Sequence, residues 1–253
     1  MSEKQSIERK KMSENLSSET LFTFTGKIKY LISMLKDGIL ARYVYERLPT
    51  PKGTFYYFAP VKCFCDIPLG KVKSHLEWFG NYGLGINRAF LKEMGVTPIM
   101  YIQDNSNRIF ELKNKSKAEK IEILRGNPLL PLLKRYYGDD YREIDSNKME
   151  SKRRKFYDER EWRYIPSNIE IEVGDSYRTI EEGIEYARKK NIDTPYLKDP
   201  IRLSPEHIEY IIIYDKDEFK KLREELRELY SDAETYETML SKVLVAKQLL
   251  RDF

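Results

Sequence analysis

An α+β fold is predicted, with a sheet flanked by helices and a helical C-terminal end. Three observations predict it. Five short runs, at residues 21–25, 54–66, 98–103, 161–165 and 208–214, concentrate aromatic and β-branched side chains or alternate them with polar ones, as strands do. Between the runs, apolar residues recur at helical spacing. Residues 217–250 carry a further apolar stripe of Phe219, Leu222, Leu226 and Tyr230, then Met239, Leu240, Val243 and Leu250.

Residues 1–18 are polar and aperiodic, and a mobile tail is expected there. Residues 21–25 (Leu-Phe-Thr-Phe-Thr) open the fold as a strand. Ile28, Leu31, Ile32 and Leu35 mark one face of a helix, which Gly38 stops in a left-handed cap. Residues 54–66 read as an extended run that Pro60 divides in two, with Cys63 and Cys65 on one face as buried thiols. A helix over 69–78 carries His75. The three glycines of 80–87 predict a tight turn with a close backbone approach; their spacing does not fit a dinucleotide-binding fingerprint. A helix over 88–94 stops at Gly95, and 98–103 is a strand.

From 105 to 147 the leucines predict helices interrupted by Gly126, Pro128 and Pro131, and residues 138–140 read as a loop. Residues 167–200 read as a polar insertion with one helix near 179–190. The run 208–214 is apolar enough for burial on both faces. Ser231 and Asp232 divide the last helical stretch. The expected organisation is a tail over 1–18, a single α+β domain over 19–215 that includes the insertion, and a C-terminal helical segment over 216–253.

Composition narrows the partners. With 45 basic against 41 acidic residues and a net charge of +4, the 253-residue chain requires neither nucleic acid nor a membrane. No apolar run reaches the roughly 18 residues of a membrane helix, and the N-terminus lacks the apolar core of a signal peptide, so a cytoplasmic location is expected. Cys63 and Cys65, one residue apart, are too close on a strand to pair readily, which fits a reducing compartment. The two histidines, His75 and His207, are far apart, so no metal centre is expected.

Residues 156–166 stand out as a dense run of acids, bases and aromatics. From Glu161 to Ile165 the side chains alternate: Trp162 and Tyr164 face one side, Glu161, Arg163 and Ile165 the other. Pro166 ends the strand. Glu159 and Glu161 share a face at its mouth, an arrangement suited to stabilising developing positive charge. The same residues also read as a strand end stitched to its surface by arginine salt bridges, Arg163 pairing with a carboxylate. The run Lys152, Arg153, Arg154 and Lys155 reads as a solvated face or as a guide for nucleic acid or an acidic protein.

Several of these pieces together resemble the abortive-infection AbiGi family of bacterial phage-resistance proteins. The resemblance rests on residues 21–25, 31–38 (Leu-Ile-Ser-Met-Leu-Lys-Asp-Gly), 63–69 (Cys-Phe-Cys-Asp-Ile-Pro-Leu), His75, 81–86 (Asn-Tyr-Gly-Leu-Gly-Ile), 157–164 (Tyr-Asp-Glu-Arg-Glu-Trp-Arg-Tyr) and the isoleucine-rich run from 208. It implies the antitoxin half of a two-gene system. More distantly, the plan resembles ADP-ribosyltransferase folds, with a curved or split sheet and a glutamate on a late strand. That resemblance implies NAD as substrate and Glu161 or Glu159 as the catalytic acid. It implies NAD contacts from Thr23, Thr25, Tyr82, His75 and Arg163, with Thr23 standing where related sequences often carry histidine. A carboxylate facing an oxocarbenium-like ribose would lower the barrier to its formation.

Three readings follow: an ADP-ribosyltransferase-like enzyme acting on a protein or nucleic acid, an antitoxin that holds a cognate toxin without turnover, and a nucleic-acid binder using residues 152–155. The first two part on whether the Glu159/Glu161 face opens to a cleft or is closed by arginine pairs.

Overall fold

A computed structural model describes residues 18–50, 53–103, 115–145, 148–167, 169–175, 179–193 and 200–252. The tail expected over 1–18 lies outside them except for Ser18. The described chain is α+β and gathers into two compact units, each discontinuous in sequence.

The first unit takes the described parts of Met1–Lys36, Phe64–Glu93 and Leu203–Phe253. Strand β1 (Thr20–Thr25) pairs antiparallel with β4 (Tyr82–Asn87). On its other side, Phe22 of β1 meets Cys65 at the end of β3 (Gly53–Cys65). Beyond β4 lies β12 (Ile208–Ile213), then β13 (Val243–Val245), which runs parallel to it. Helix α1 (Ile28–Asp37) buries Leu31, Ile32 and Leu35, the face its spacing predicts, and Gly38 follows at φ 90°. Helices α2 (Lys73–Phe79) and α3 (Arg88–Glu93) flank β4 in sequence. Phe22, Cys65, Ile67, Leu76, Ile212 and Leu249 share one core cluster.

The glycines of 80–87 do not make a tight turn, because residues 82–87 form a strand. A Cβ on Gly83 would stand 2.8 Å from the Thr23 carbonyl oxygen, and one on Gly85 would stand 2.8 Å from the Tyr210 ring. Both glycines admit neighbours rather than bend the chain. Gly80, at φ 120°, lies so close to Thr25 that a Cβ would fall 2.3 Å from its carbonyl oxygen.

The C-terminal stretch forms α6 (Phe219–Leu229), α7 (Ala233–Ser241) and α8 (Ala246–Asp252). Asp232 caps α7 by accepting from the Thr235 N–H at 2.7 Å. Val243, placed by the sequence in a helical stripe, belongs instead to β13. This segment joins β12 and β4 in one unit.

The second unit takes Asp37–Cys63 and the described parts of Met94–Arg202. Strand β2 (Arg42–Thr50), not anticipated from the sequence, pairs with β3 along its length. Pro60 does not divide β3. It stands opposite Tyr43, whose N–H donates to Asn191 Oδ1 at 2.8 Å and whose carbonyl accepts from Asn191 Nδ2 at 3.0 Å. Both polar backbone groups of Tyr43 are thereby served, so β2 makes no demand on the N–H that proline lacks.

The sequence run over 98–103 splits into β5 (Thr97–Pro98) and β6 (Met100–Ile102). Helix α4 (Lys117–Arg125) starts on a capping box of Ser116 and Glu119. Then come β7 (Leu133–Arg135), parallel to β6, and a hairpin of β8 (Tyr137–Asp145) and β9 (Lys148–Lys155). Residues 138–140 therefore lie in a strand, not a loop: Gly138 pairs with Arg154 and Asp139 with Arg153. Strand β10 (Glu161–Tyr164) pairs with β5 and neighbours β3. Within the expected insertion, β11 (Glu172–Asp175) pairs with β3, and α5 (Ile180–Asp193) packs Tyr186 against Phe58, the rings tilted at 57° with centroids 4.7 Å apart.

Candidate functional site

Strand β10 alternates as the sequence predicts, but its buried face is the charged one. Arg163 has no exposed surface and Glu161 only 5%, while Trp162 and Tyr164 are half-buried. A guanidinium can be buried only where its donors are met. Arg163 Nε donates to Glu161 Oε1 at 2.6 Å, and one terminal nitrogen donates to Tyr57 Oη at 3.0 Å and to the Pro131 carbonyl at 2.7 Å. The other terminal nitrogen donates to Glu46 of β2. The Tyr57 hydroxyl in turn donates to the Leu133 carbonyl at 3.0 Å. One side chain thus ties β10 to β2, β3 and the turn at 130–132.

Glu159 lies 3% exposed at the end of a 3₁₀ turn (Phe156–Glu159). Arg160 follows at φ 47°, the left-handed region that a non-glycine residue enters at a cost of roughly 1 kcal/mol. This bend, rather than an extended strand, aims Glu159 and Glu161 at a shared partner. Lys134 of β7 donates to Glu159 Oε2 and to Glu161 Oε2, each at 2.8 Å. Arg154 adds a contact to Glu159 Oε1 at 3.5 Å and binds Asp140 at 3.1 Å. The Glu161 N–H donates to Tyr101 Oη at 2.8 Å.

The two carboxyls are driven in opposite directions. Burial pushes Glu161 up, but the charges of Arg163 and Lys134, with hydrogen bonds from Arg163 and Cys63, outweigh it and hold the group well below the usual carboxylate range. Burial also raises Glu159, the Glu161 charge adds to the rise, and Lys134 and Arg154 only partly offset it. Burial opposes the Lys134 ammonium, yet Glu159 and Glu161 keep it charged, well above its ordinary value. Burial raises the Tyr57 phenol, which stays protonated as a donor.

The other expected site residues lie in the first unit. Thr23 is buried within β1, opposite Leu84, and Thr25 ends that strand opposite Tyr82. Tyr82 donates to Glu218 at 2.6 Å; burial and that bond raise its phenol. His75 is buried beside the Phe24 and Phe79 rings, with Nδ1 3.3 Å from Ser74 Oγ. Thr23, Thr25 and Tyr82 are thus brought together on β1 and β4, while Glu159, Glu161 and Arg163 gather in the other unit. Of the thiols expected to be buried, Cys65 is, donating to the Phe22 carbonyl; Cys63 is exposed. Cys63 keeps exposed surface although its thiol reaches the buried Glu161 carboxylate.

The basic run does not form one surface. Strand pleating puts Lys152 and Arg154 on one face of β9 and Arg153 and Lys155 on the other. Arg154 is committed to Asp140 and Glu159, and Lys155 to Asp158 at 3.2 Å. Among the described residues no group of three or more His, Cys, Asp or Glu is placed to hold a metal ion, and no helix is long and apolar enough to cross a membrane.

Sequence reasoning missed Lys134, Glu46 and Tyr101. Lys134 directly follows the apolar run 129–133, but Arg135 stands beside it, so the sequence does not single out which cation turns inward. Glu46 gave no signal, since β2 itself went unread.

The comparisons with known proteins bear on residues of both units. A family model described as "Putative abortive phage resistance protein AbiGi, antitoxin" matches residues 54–214. The abortive phage resistance protein AbiGi of Lactococcus lactis subsp. cremoris is 28% identical over 137 residues, covering 44% of this chain and 52% of that protein. The chain thus spans about half the length of the curated relative it matches. No solved structure matches. Because the family model takes in more than half of the residues, including β10 and the whole charge cluster around Glu161, the chain belongs to the AbiGi family of abortive phage resistance proteins.

Proposed function

We propose that this chain acts in phage resistance as a binding protein, an antitoxin that holds a cognate toxin without turnover. The observation behind this reading is how Glu161 is held. Its two oxygens are occupied by Arg163 and Lys134, and the group is almost wholly buried. A carboxylate that must face a developing ribose cation needs an open approach; this one faces fixed protein cations. The antitoxin wording of the family description supports the same reading.

One observation favours the enzymatic alternative, ADP-ribosyl transfer: the opposite protonation tendencies of Glu159 and Glu161, a pattern associated with acid–base pairs. The side chains that would hold NAD fit it poorly as arranged. Thr23 is buried in its ladder, Tyr82 is bonded to Glu218, and Arg163 is committed to Glu161, Glu46, Tyr57 and Pro131.

The test has two arms. Purified chain and the Glu161→Gln and Glu159→Gln variants are incubated with NAD; no nicotinamide release is expected from any of them. In cells, growth arrest caused by expressing the product of a gene adjacent to this one is expected to be relieved when the chain is co-expressed. Nicotinamide release by the wild type that vanishes in either variant would overturn the proposal in favour of a transferase. Persistent growth arrest on co-expression would remove the antitoxin role.

A further inference from the structure

A second feature of the same unit lies apart from the charge cluster. Where β7 leads into β8, a pocket of about 440 Å³ opens between Gln103, Arg135, Tyr136, Tyr137, Asp139 and Arg153. Its size suits one small polar ligand. Two guanidinium groups against one carboxylate leave the lining positive.

The aromatic part is presented outward. Tyr137 is 44% exposed, and the Arg153 guanidinium lies 5.0 Å from its ring centroid. Tyr136 and Tyr157 stand 5.5 Å apart, with the Lys155 ammonium over both rings. Guanidinium and ammonium groups layered on tyrosine rings hold flat π systems and anions side by side, the combination single nucleotides and single strands require.

Gly138 sets the geometry. A Cβ there would fall 2.6 Å from Arg135 Cζ and 2.7 Å from its Nε. The missing side chain lets the Arg135 guanidinium lie across the backbone of β8. Asp139 gives the pocket an acceptor that repels a bare phosphate but suits the hydroxyls of a ribose or the exocyclic amine of a base.

We infer that this pocket binds one nucleotide unit, its phosphate between Arg135 and Arg153 and its base against Tyr137. The unit is either a free nucleotide or part of a single strand. The site is independent of the antitoxin reading, since it uses none of the residues around Glu161.

The test is calorimetric titration of the full chain with AMP, GMP, CMP and UMP and with a 5′-phosphorylated pentanucleotide of mixed sequence. Inorganic phosphate and the four nucleosides serve as controls. At least one nucleotide or the pentamer is expected to bind at least tenfold more tightly than phosphate and nucleosides. Arg153→Glu and Tyr137→Ala, both at exposed positions, are each expected to weaken that binding tenfold or more with an unchanged circular dichroism spectrum. Gly138→Ala, which displaces the Arg135 head without removing it, is expected to weaken it as well. Mononucleotides binding as well as the pentamer assign a free nucleotide; a pentamer preference assigns a single strand. Absence of binding at millimolar ligand, phosphate binding equal to that of nucleotides, or affinity unchanged in Arg153→Glu and Tyr137→Ala would each overturn the inference.

Discussion

Replacing Arg163 by methionine is the sharpest trial of the reading that β10 is a structural anchor. Methionine keeps most of the length and apolar bulk of the side chain but none of its donors. The Glu161 carboxylate would keep Lys134 and lose its nearer cation; Glu46 would lose its guanidinium partner, and the Pro131 carbonyl and Tyr57 Oη would each lose a donor. Breaking a buried ion pair by removing one partner costs about 3–5 kcal/mol, because the surviving charge stays buried. With a urea dependence of about 3 kcal/mol per molar, the unfolding midpoint should fall by roughly 1–1.7 M. Amide exchange would localise the loss: protection should fall in β10 and β3 and hold in β12, which belongs to the other unit. Adding Glu161→Gln to Arg163→Met should recover part of the loss, since it neutralises the stranded carboxylate. A midpoint within about 0.2 M of wild type, less than 1 kcal/mol at that slope, would refute the anchor argument.

Three further outcomes follow from the same geometry. Glu161→Gln should destabilise the protein by about 2–4 kcal/mol, whereas Glu159→Gln, which keeps an acceptor for Lys134 and removes repulsion from Glu161, should stay within about 1 kcal/mol, both read by chemical denaturation. Acid titration of stability should show both carboxyls. Glu161, depressed in the folded state, contributes fully above its unfolded value of about 4.3 and loses that contribution as pH falls below it; Glu159, raised in the folded state, makes stability decline as pH climbs from about 4.3 towards its folded value. Glu161→Gln should flatten the acid limb and Glu159→Gln the decline above it. Gly80→Ala, whose Cβ meets the Thr25 backbone, should lower the thermal midpoint well beyond Gly95→Ala, where φ is 83° but nothing lies within 4 Å and the cost is about 1 kcal/mol.

Legibility followed the range of the interactions involved. Helix α1, its Gly38 stop and the break at Asp232 rest on neighbours a few residues away, and the sequence carries them openly. Strand β12 was legible because burial on both faces leaves an apolar run. What failed depended on partners distant in sequence. Pro60 stays in a strand because Asn191, far along the chain, serves the backbone of Tyr43. The glycines of β4 line a strand because Thr23, Phe22 and Tyr210 press against them. Hairpin β8–β9 was read as loop and basic run because charged residues stand opposite one another across its strands, Asp139 opposite Arg153 and Asp140 opposite Lys152, leaving no apolar period to see.

The candidate site shows the same division more finely. A glutamate opening a late strand looks alike in sequence whether it faces a substrate or an arginine. The arginine two positions on is the discriminating residue, because alternation puts it on the same face, and its donors are the first to reach the carboxylate. Glu161 and Arg163 meet at 2.6 Å on that basis alone. What alternation does not reveal is whether a second cation closes the other side. Lys134 does so here, from a strand 27 residues earlier. A late-strand glutamate with an arginine at the second following position and a cation from a neighbouring strand is therefore better read as a strand anchor than as an acid.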